Sequence, residues 1–171
     1  MALTATTPFA HRNLPRLLLQ AREAVMAHTR PSLRRHALSD QQWRVLRVLG
    51  ELGTVDTGRV AREAFILGPS LTGVLTRMER DGLIVRARDP VDQRRSVVRA
   101  TARGRALVRR LSTTIECHYA QMEQVLGSER LADLYTLLDA VIGMESTMAA
   151  PTSPVVARKR RGTAQPVEAS V

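Results

Sequence analysis

The feature that most constrains the fold is one segment with strand character, residues 83–100, in a chain that otherwise shows the spacing of amphipathic helices. Residues 83–88 and 96–100 are rich in Val, Ile and Ala, and a polar turn with two arginines separates them. This pattern predicts a two-stranded hairpin with an arginine-bearing tip. The predicted fold class is therefore mostly α with a small β-hairpin wing.

Amphipathic segments surround the hairpin on both sides. Apolar spacing, capping residues and breakers predict helices over residues 14–35, 40–52, 56–64, 69–81, 102–126 and 129–146. Ser39 and Gln42 form a capping-box signature before the second helix, and Pro31 is expected to bend or break the first. Few residues are aromatic, so the core must be built mainly from aliphatic side chains.

The charge balance favours an acidic partner. The chain has 26 basic residues against 16 acidic ones, a formal net charge of +10, and every basic residue except Lys159 is an arginine. Such an excess suits a polyanion such as nucleic acid, although a solvated surface can also be basic without a binding role.

Several classes of protein are excluded by the composition. The single Cys117 rules out an intramolecular disulfide framework and a cysteine-rich zinc site. No apolar run approaches the roughly 18 residues that span a bilayer. The first residues also lack the basic and apolar regions of a secretion signal. We therefore expect a soluble, cytoplasmic protein.

The third and fourth predicted helices and the hairpin follow the order of a winged helix-turn-helix. The second helix of such a pair fits the major groove of DNA and contacts base edges near its N-terminus. In this chain that helix has an apolar face and an opposite face of small hydroxyls and one arginine. A solvated helix surface has the same composition, so both interpretations stay open at this point. The residues predicted to contact DNA are Ser70, Thr72, Gly73, Thr76 and Arg77.

The hairpin tip carries Asp92, Arg94 and Arg95. Arginine at a turn suits the minor groove, where negative potential is concentrated. Asp92 is expected to hold the Arg94 side chain by a charge-assisted hydrogen bond and so keep the tip rigid. The alternative is an ordinary Asp-Pro turn with solvated arginines.

Three runs of residues resemble the MarR family of bacterial transcriptional regulators. They are LSDQQWRVL at 38–46, SLTGVLTRMERDGL at 70–83 and DQRR at 92–95, the last of which matches the family's wing motif of an Asp followed two positions on by an Arg. The run LLQAREAVM at 18–26 resembles the sequences of one branch of the family, whose members repress homoprotocatechuate degradation operons. The resemblance covers about residues 14–146.

The resemblance implies a homodimer on a pseudo-palindromic operator, joined through the first and the last two helices. The apolar faces of the helices over 14–35, 102–126 and 129–146 exceed what one short winged domain covers. A larger monomeric bundle would also bury such faces. A two-fold dimer matches half-sites about one helical turn of DNA apart.

Three regions follow from this interpretation. Residues 1–13 are predicted to form a flexible leader, and residues 14–146 a winged helix-turn-helix with dimerisation helices, whose DNA-reading part covers about 56–100. Residues 147–171 combine three prolines with the basic run 158–161, which predicts a disordered basic tail.

The resemblance further implies release from DNA by a small aromatic acid, and the branch implies an arylacetate such as 4-hydroxyphenylacetate. A carboxylate requires an arginine at the edge of an apolar wall, and a ring hydroxyl suits a histidine. Each candidate also has a structural interpretation, as a core residue or a surface ion pair. The candidate ligand contacts are Arg22, His28, Trp43, Arg47 and His118.

The sequence gives little indication of redox sensing, metal binding or catalysis. Cys117 lies in the fifth predicted helix and not at the first-helix position of the peroxide-sensing branch, and the four histidines lack metal-ligand spacing. We expect no metal, no cofactor and no catalysis. The favoured hypothesis is a ligand-responsive repressor of an aromatic catabolic operon. The alternatives are an architectural nucleic-acid binder that uses its basic tail, and a small-molecule-binding or enzyme-like helical protein with an incidental basic surface.

Overall fold

The structure is a computed structural model that describes residues 9–144. The chain divides into two compact units, one that ends at Val125 and one that begins at Leu126. The predicted basic tail lies outside the described residues, as do residues 1–8 of the predicted leader.

The described residues form helices with one small antiparallel sheet, as predicted. The elements in chain order are α1 (Leu14–Arg35), α2 (Asp40–Leu52), β1 (Val55–Asp56), α3 (Thr57–Glu63), α4 (Gly68–Arg80), β2 (Ile84–Arg88), β3 (Ser96–Ala100), α5 (Ala102–Leu126) and α6 (Ser128–Gly143). The hairpin of β2, the turn 89–95 and β3 is called the wing below.

Local sequence signals set most of the helix ends. Both halves of the capping box before α2 are present, with Ser39 Oγ accepting from the Gln42 N–H and Gln42 Oε1 accepting from the Ser39 N–H. Gly53 follows α2 with a positive φ of 74°, a conformation that favours glycine. Asp56 caps α3 by accepting a hydrogen bond from the Arg59 N–H.

The structure differs from the predicted elements in two respects: Pro31 does not break α1, and a third strand lies beside the predicted hairpin. Helix α1 continues through Pro31 to Arg35, because Ser32 and Leu33 are buried while Pro31 lies on the exposed face. The sheet has three strands among the described residues, in the order β1-β3-β2, and not two. Strand β1 is so short that its sequence shows no alternation, and it exists because Val55 pairs with Val98 on β3.

The first unit is organised around an aliphatic core, which confirms the prediction made from the scarcity of aromatic residues. Leu33, Leu46, Met78, Ile84 and Leu111 are fully buried and come from α1, α2, α4, β2 and α5. Because each element contributes to one core, the sheet, α4 and the first half of α5 have fixed relative positions.

The start of α5 lies close against the turn that leads into β2. Thr101 Oγ1 donates to the Gly82 carbonyl at 2.7 Å and accepts from the Gly104 N–H at 3.0 Å. Gly104 is buried, and a β-carbon at this position would collide with the Leu83 carbonyl oxygen. Glycine is therefore required for this close approach of helix to strand.

In the second unit, α6 has an apolar surface of its own. Leu137 and Ile142 are exposed, as are Leu134 and Val141. None of the helices among residues 9–144 has both the length and the hydropathy needed to cross a membrane.

Candidate nucleic-acid interface and ligand site

Helix α4 presents two chemically different faces. Leu71, Val74, Leu75 and Met78 are buried in the core. Ser70, Thr72, Thr76 and Arg77 lie on the exposed side, and half-buried Gly73 lies beneath the Arg77 guanidinium, whose Nη1 would be 3.5 Å from a β-carbon at Gly73. The structure thus brings the five predicted major-groove residues together on one helix surface, with small side chains around one arginine.

A carboxylate on α4 fixes the position of the wing. Glu79 Oε2 accepts from Arg86 Nη2 at 2.6 Å and from Arg86 Nε at 2.9 Å, while Oε1 accepts from the Arg86 backbone N–H at 3.1 Å. This ion pair, in which two guanidinium nitrogens donate to one carboxylate oxygen, joins α4 to β2. The two elements that carry the predicted DNA contacts are therefore joined, which the sequence analysis did not foresee because the partners belong to different elements.

The hydrogen bonds of Arg86 hold the pKa of Glu79 below its ordinary value. A carboxyl group whose pKa is lower in the folded state stabilises the fold above its unfolded pKa, about 4.3 for Glu, and loses this contribution as the pH falls through the folded pKa. We expect the free energy of unfolding to decrease below about pH 4, and to decrease less steeply in Glu79→Gln. Denaturant unfolding followed by circular dichroism at pH 7, 5, 4 and 3 measures this. Equal pH dependence in the two proteins would contradict the assignment.

The wing tip is ordered by side-chain to backbone hydrogen bonds. Asp89 Oδ1 accepts from the Val91 N–H at 2.8 Å, and Asp92 Oδ1 accepts from the Arg94 N–H at 3.0 Å. The expectation that Asp92 binds the Arg94 side chain was wrong, because its carboxylate closes an Asx turn on the backbone instead. Asp92 orders the tip and leaves the Arg94 guanidinium available.

The two tip arginines differ in their surroundings. The Arg94 side chain is exposed and has no hydrogen bond or ion pair within residues 9–144. Arg95 Nη2 forms an ion pair with Asp56 Oδ2 at 3.1 Å. The pKa of Asp56 is lowered, chiefly by the hydrogen bond from the Arg59 N–H and also by the Arg95 charge.

Helix α2 is connected to the turn between α3 and α4 by Arg44. Its Nη1 donates to the Ala64 carbonyl at 2.7 Å and to the Phe65 carbonyl at 3.0 Å. Phe65 has a left-handed backbone with φ of 49°, so the carbonyls at this turn need a partner outside α3. Burial lowers the pKa of Arg44, and the charge of Arg22 lowers it further.

The two arginines proposed from sequence as carboxylate ligands are both paired with glutamates. Arg22 Nη1 lies 2.7 Å from Glu23 Oε1, and Arg47 Nη2 lies 3.0 Å from Glu51 Oε1. Their side chains are 42% and 45% exposed, so each can exchange its partner for another carboxylate at small cost. Trp43, one helical turn before Arg47, is buried in the core cluster.

The two candidate histidines lie next to each other. The His28 ring on α1 and the His118 ring on α5 have centroids 6.4 Å apart and are tilted by 53°. Nδ1 of His118 is buried without a hydrogen-bond partner among the described residues. A buried polar atom without a partner favours a ligand or water at this place. In the part of the chain that the structure describes, no three His, Cys, Asp or Glu residues cluster as a metal site would require.

Sequence reasoning missed four residues that join the elements of the candidate interface: Asp56, Glu79, Arg86 and Arg44. Asp56 carried a local signal, since an Asp before Thr57 and Gly58 is typical of a helix N-cap. Glu79, Arg86 and Arg44 carried none, because their partners lie on other elements.

Comparison with known proteins agrees with this geometry. Residues 37–95 match the model of the MarR family. The chain is 46% identical over 134 residues to the homoprotocatechuate degradative operon repressor of Escherichia coli, which covers 78% of this chain and 90% of the relative.

Solved structures with similar folds include two bound complexes. The structure of NadR in complex with 4-hydroxyphenylacetate has a TM-score of 0.73 and 42% identity, and covers 80% of this chain and 96% of that one. The transcriptional repressor CouR bound to a DNA duplex has a TM-score of 0.69 and 25% identity, and covers 75% of this chain and 92% of that one. The fold, the wing motif and these similarities together establish that the chain belongs to the MarR family of transcriptional regulators.

Proposed function

We propose that this protein is a DNA-binding repressor of an operon for the degradation of homoprotocatechuate or 4-hydroxyphenylacetate, and that an arylacetate releases it from its operator. The observation that carries the proposal is the joined unit of α4 and wing, in which Glu79 and Arg86 connect an exposed polar helix face to an ordered tip whose Arg94 side chain is unpaired within residues 9–144. The protein acts by binding and not by catalysis, in the cytoplasm where bacterial DNA lies.

The DNA-contacting residues of this proposal are Ser70, Thr72, Gly73, Thr76 and Arg77 on α4 and Arg94 at the wing. Asp92 orders the wing tip, and Arg95 lies beside Arg94 in an ion pair with Asp56. Small hydroxyls on α4 permit close approach to base edges in the major groove, and an exposed tip arginine suits the minor groove. The relative from Escherichia coli is named as a repressor, and CouR was solved on DNA, which supports the same mode here.

The protein binds its operator as a homodimer in this proposal. Leu14 and Leu19 on α1 are exposed in the single chain, and so are Leu137 and Ile142 on α6. Exposed apolar side chains on the helices that flank the DNA-reading part favour a second copy as their cover. The two α4 helices of such a dimer would read the two halves of a pseudo-palindromic site.

The arylacetate site of this proposal is built from Arg22, His28, Trp43, Arg47 and His118. The unpartnered Nδ1 of His118 and the exchangeable ion pairs of Arg22 and Arg47 support it. The similar protein NadR was solved with 4-hydroxyphenylacetate, whose carboxylate and ring hydroxyl need partners of these kinds.

We expect Arg47→Ala to weaken 4-hydroxyphenylacetate binding by about tenfold or more, since a hydrogen bond to a charged group contributes about 1.5–3 kcal/mol. Operator affinity without ligand should stay within about twofold. Calorimetric titration of ligand into protein measures the change, and Arg22→Ala is expected to act in the same direction. Arg59→Ala is the matched control, because Arg59 is also half-exposed and paired with the Glu63 one turn on. Unchanged ligand affinity in both Arg22→Ala and Arg47→Ala would remove these residues from the site.

The proposed function is tested by gel-shift titration on promoter DNA of an operon for homoprotocatechuate degradation, against unrelated duplex as competitor. We expect specific binding that 4-hydroxyphenylacetate reverses. Binding that is indifferent to sequence and lost when residues 158–161 are removed would instead identify an architectural nucleic-acid binder. Absence of DNA binding at moderate salt would refute both.

A further inference from the structure

Two adjacent arginines at the wing differ in whether a carboxylate pairs with them. Arg94 has an exposed side chain without a partner within residues 9–144, whereas Arg95 is paired with Asp56 although its side chain is 56% exposed. A pair of arginines at a hairpin tip therefore does not mean two equivalent DNA contacts.

The pairing of Arg95 follows from the short strand β1. Asp56 lies opposite Val97 in the antiparallel pair of β1 and β3, which makes Arg95, two residues before Val97, its diagonal neighbour on the same face of the sheet. Long side chains reach across such a diagonal. The carboxylate divides its oxygens, since Oδ1 accepts from the Arg59 N–H and Oδ2 pairs with Arg95.

We propose that Asp56 is a positioning residue that keeps Arg95 on the sheet, so that each wing presents only one groove-contacting arginine, Arg94. One carboxylate thereby joins the first helix of the helix-turn-helix to the tip of the wing. The inference rests on the proposed DNA binding, and it replaces the view that Arg94 and Arg95 both contact DNA.

Salt dependence distinguishes a paired arginine from a free one. An arginine that neutralises a phosphate releases counterions. Each such contact makes the negative slope of log K against log salt steeper by about 0.9. Asp56 is only 24% exposed and is held by the Arg59 N–H, unlike the exposed glutamates that pair with Arg22 and Arg47. An Arg95 that stays on Asp56 therefore neutralises no phosphate and releases no counterions. The test therefore compares the slopes as well as the affinities. A change in phosphate contacts changes the slope, whereas a purely structural effect of a substitution leaves the slope unchanged.

The chain offers matched variants for this test. Asp56→Asn removes the charge that holds Arg95 but keeps a side chain that caps α3, because Asn is as good an N-cap as Asp. Arg95→Ala removes the paired arginine, and Arg94→Ala removes the free one. The double variant Asp56→Asn with Arg95→Ala shows whether an effect of Asp56→Asn passes through Arg95. Circular dichroism melting verifies that each variant is folded.

Binding is measured by fluorescence anisotropy of full-length protein on operator and on unrelated duplex, from 50 to 300 mM salt. We expect Arg95→Ala to change operator affinity by less than about threefold with an unchanged slope. Asp56→Asn should raise affinity for unrelated duplex by about threefold or more and steepen the slope by about 1 to 2 in a dimer. The double variant should lose this gain.

Two results would overturn the inference. One is a loss of affinity and slope in Arg95→Ala as large as in Arg94→Ala. The other is a gain in Asp56→Asn that persists in the double variant, since the gain would then come from the lost negative charge alone. Wild-type protein that fails to prefer its operator would refute the proposed function, but the comparison on unrelated duplex would still decide the role of Asp56.

Discussion

Replacing Arg94 with Ala is expected to weaken operator binding by about a hundredfold. A hydrogen bond to a charged group contributes about 1.5–3 kcal/mol, and a symmetric dimer loses two of them, so the lower end of this range for each protomer gives a factor of about a hundred. The Arg94 side chain is free within the described residues, and the Asx turn of Asp92 already orders its backbone. No internal contact is therefore lost, and thermal stability should not change.

The loss of affinity in Arg94→Ala should be similar across DNA sequences, since the contact is electrostatic. The slope of log K against log salt should become shallower by about 1 to 2 for the dimer. Anisotropy titrations of several duplexes at a series of salt concentrations measure both quantities. Arg99→Ala is the matched control, because Arg99 is an exposed arginine on β3, outside the tip, and carries the same charge. We expect its effect to stay below about threefold.

Substitutions on α4 should behave differently from those at the wing. Ser70→Ala or Thr72→Ala is expected to change the ranking of operator sequences more than the overall affinity, since base-edge contacts determine sequence preference and phosphate contacts do not. Equal effects of the α4 and wing variants on ranking would contradict this division of roles.

Replacing Gly104 with Ala is expected to lower the free energy of unfolding by about 2 kcal/mol or more. The new β-carbon would collide with the Leu83 carbonyl oxygen, and overpacking of this kind costs about 1–3 kcal/mol. Backbone cannot move aside as a flexible side chain would, so α5 must shift away from the turn before β2. The wing would shift with it, and operator affinity should fall as well.

Gly50→Ala provides the opposite case for comparison. Gly50 lies inside α2, where a β-carbon would make only an ordinary contact of 3.6 Å with Val108 Cγ1. Alanine in a helix interior is more favourable than glycine by about 0.5–1 kcal/mol, so this variant should be slightly more stable. Denaturant unfolding at equal protein concentration measures both variants. A Gly104→Ala protein as stable as wild type would show that α5 does not approach Leu83 so closely.

The parts of the fold that were predictable from sequence are those with short-range causes. The capping box of Ser39 and Gln42 acts over three residues, and the hairpin over 83–100 carries its own turn, so both were recognisable without knowledge of the core. Strand β1 was not, because Val55 and Asp56 become a strand only by pairing with β3, some forty residues away along the chain. Its absence from the prediction also concealed the ion pair of Asp56 with Arg95.

The candidate site shows the same division. The exposed face of α4 follows from helical spacing within thirteen residues, which is why its five residues could be named in advance. The role of Asp92 was misjudged because the sequence spacing fits a side-chain pair and an Asx turn equally well, and only the backbone conformation decides between them. Arg44 and Glu79 acquire their roles from partners on other elements, so no local pattern identifies them.

The most direct test of the central claim is the affinity of full-length protein for 4-hydroxyphenylacetate, measured by calorimetry with and without saturating operator DNA. If the ligand releases the repressor, linkage requires that DNA weaken ligand binding by the same factor by which ligand weakens DNA binding. We predict a dissociation constant at least about tenfold higher with operator present. Equal dissociation constants with and without operator would show that the ligand does not control DNA binding.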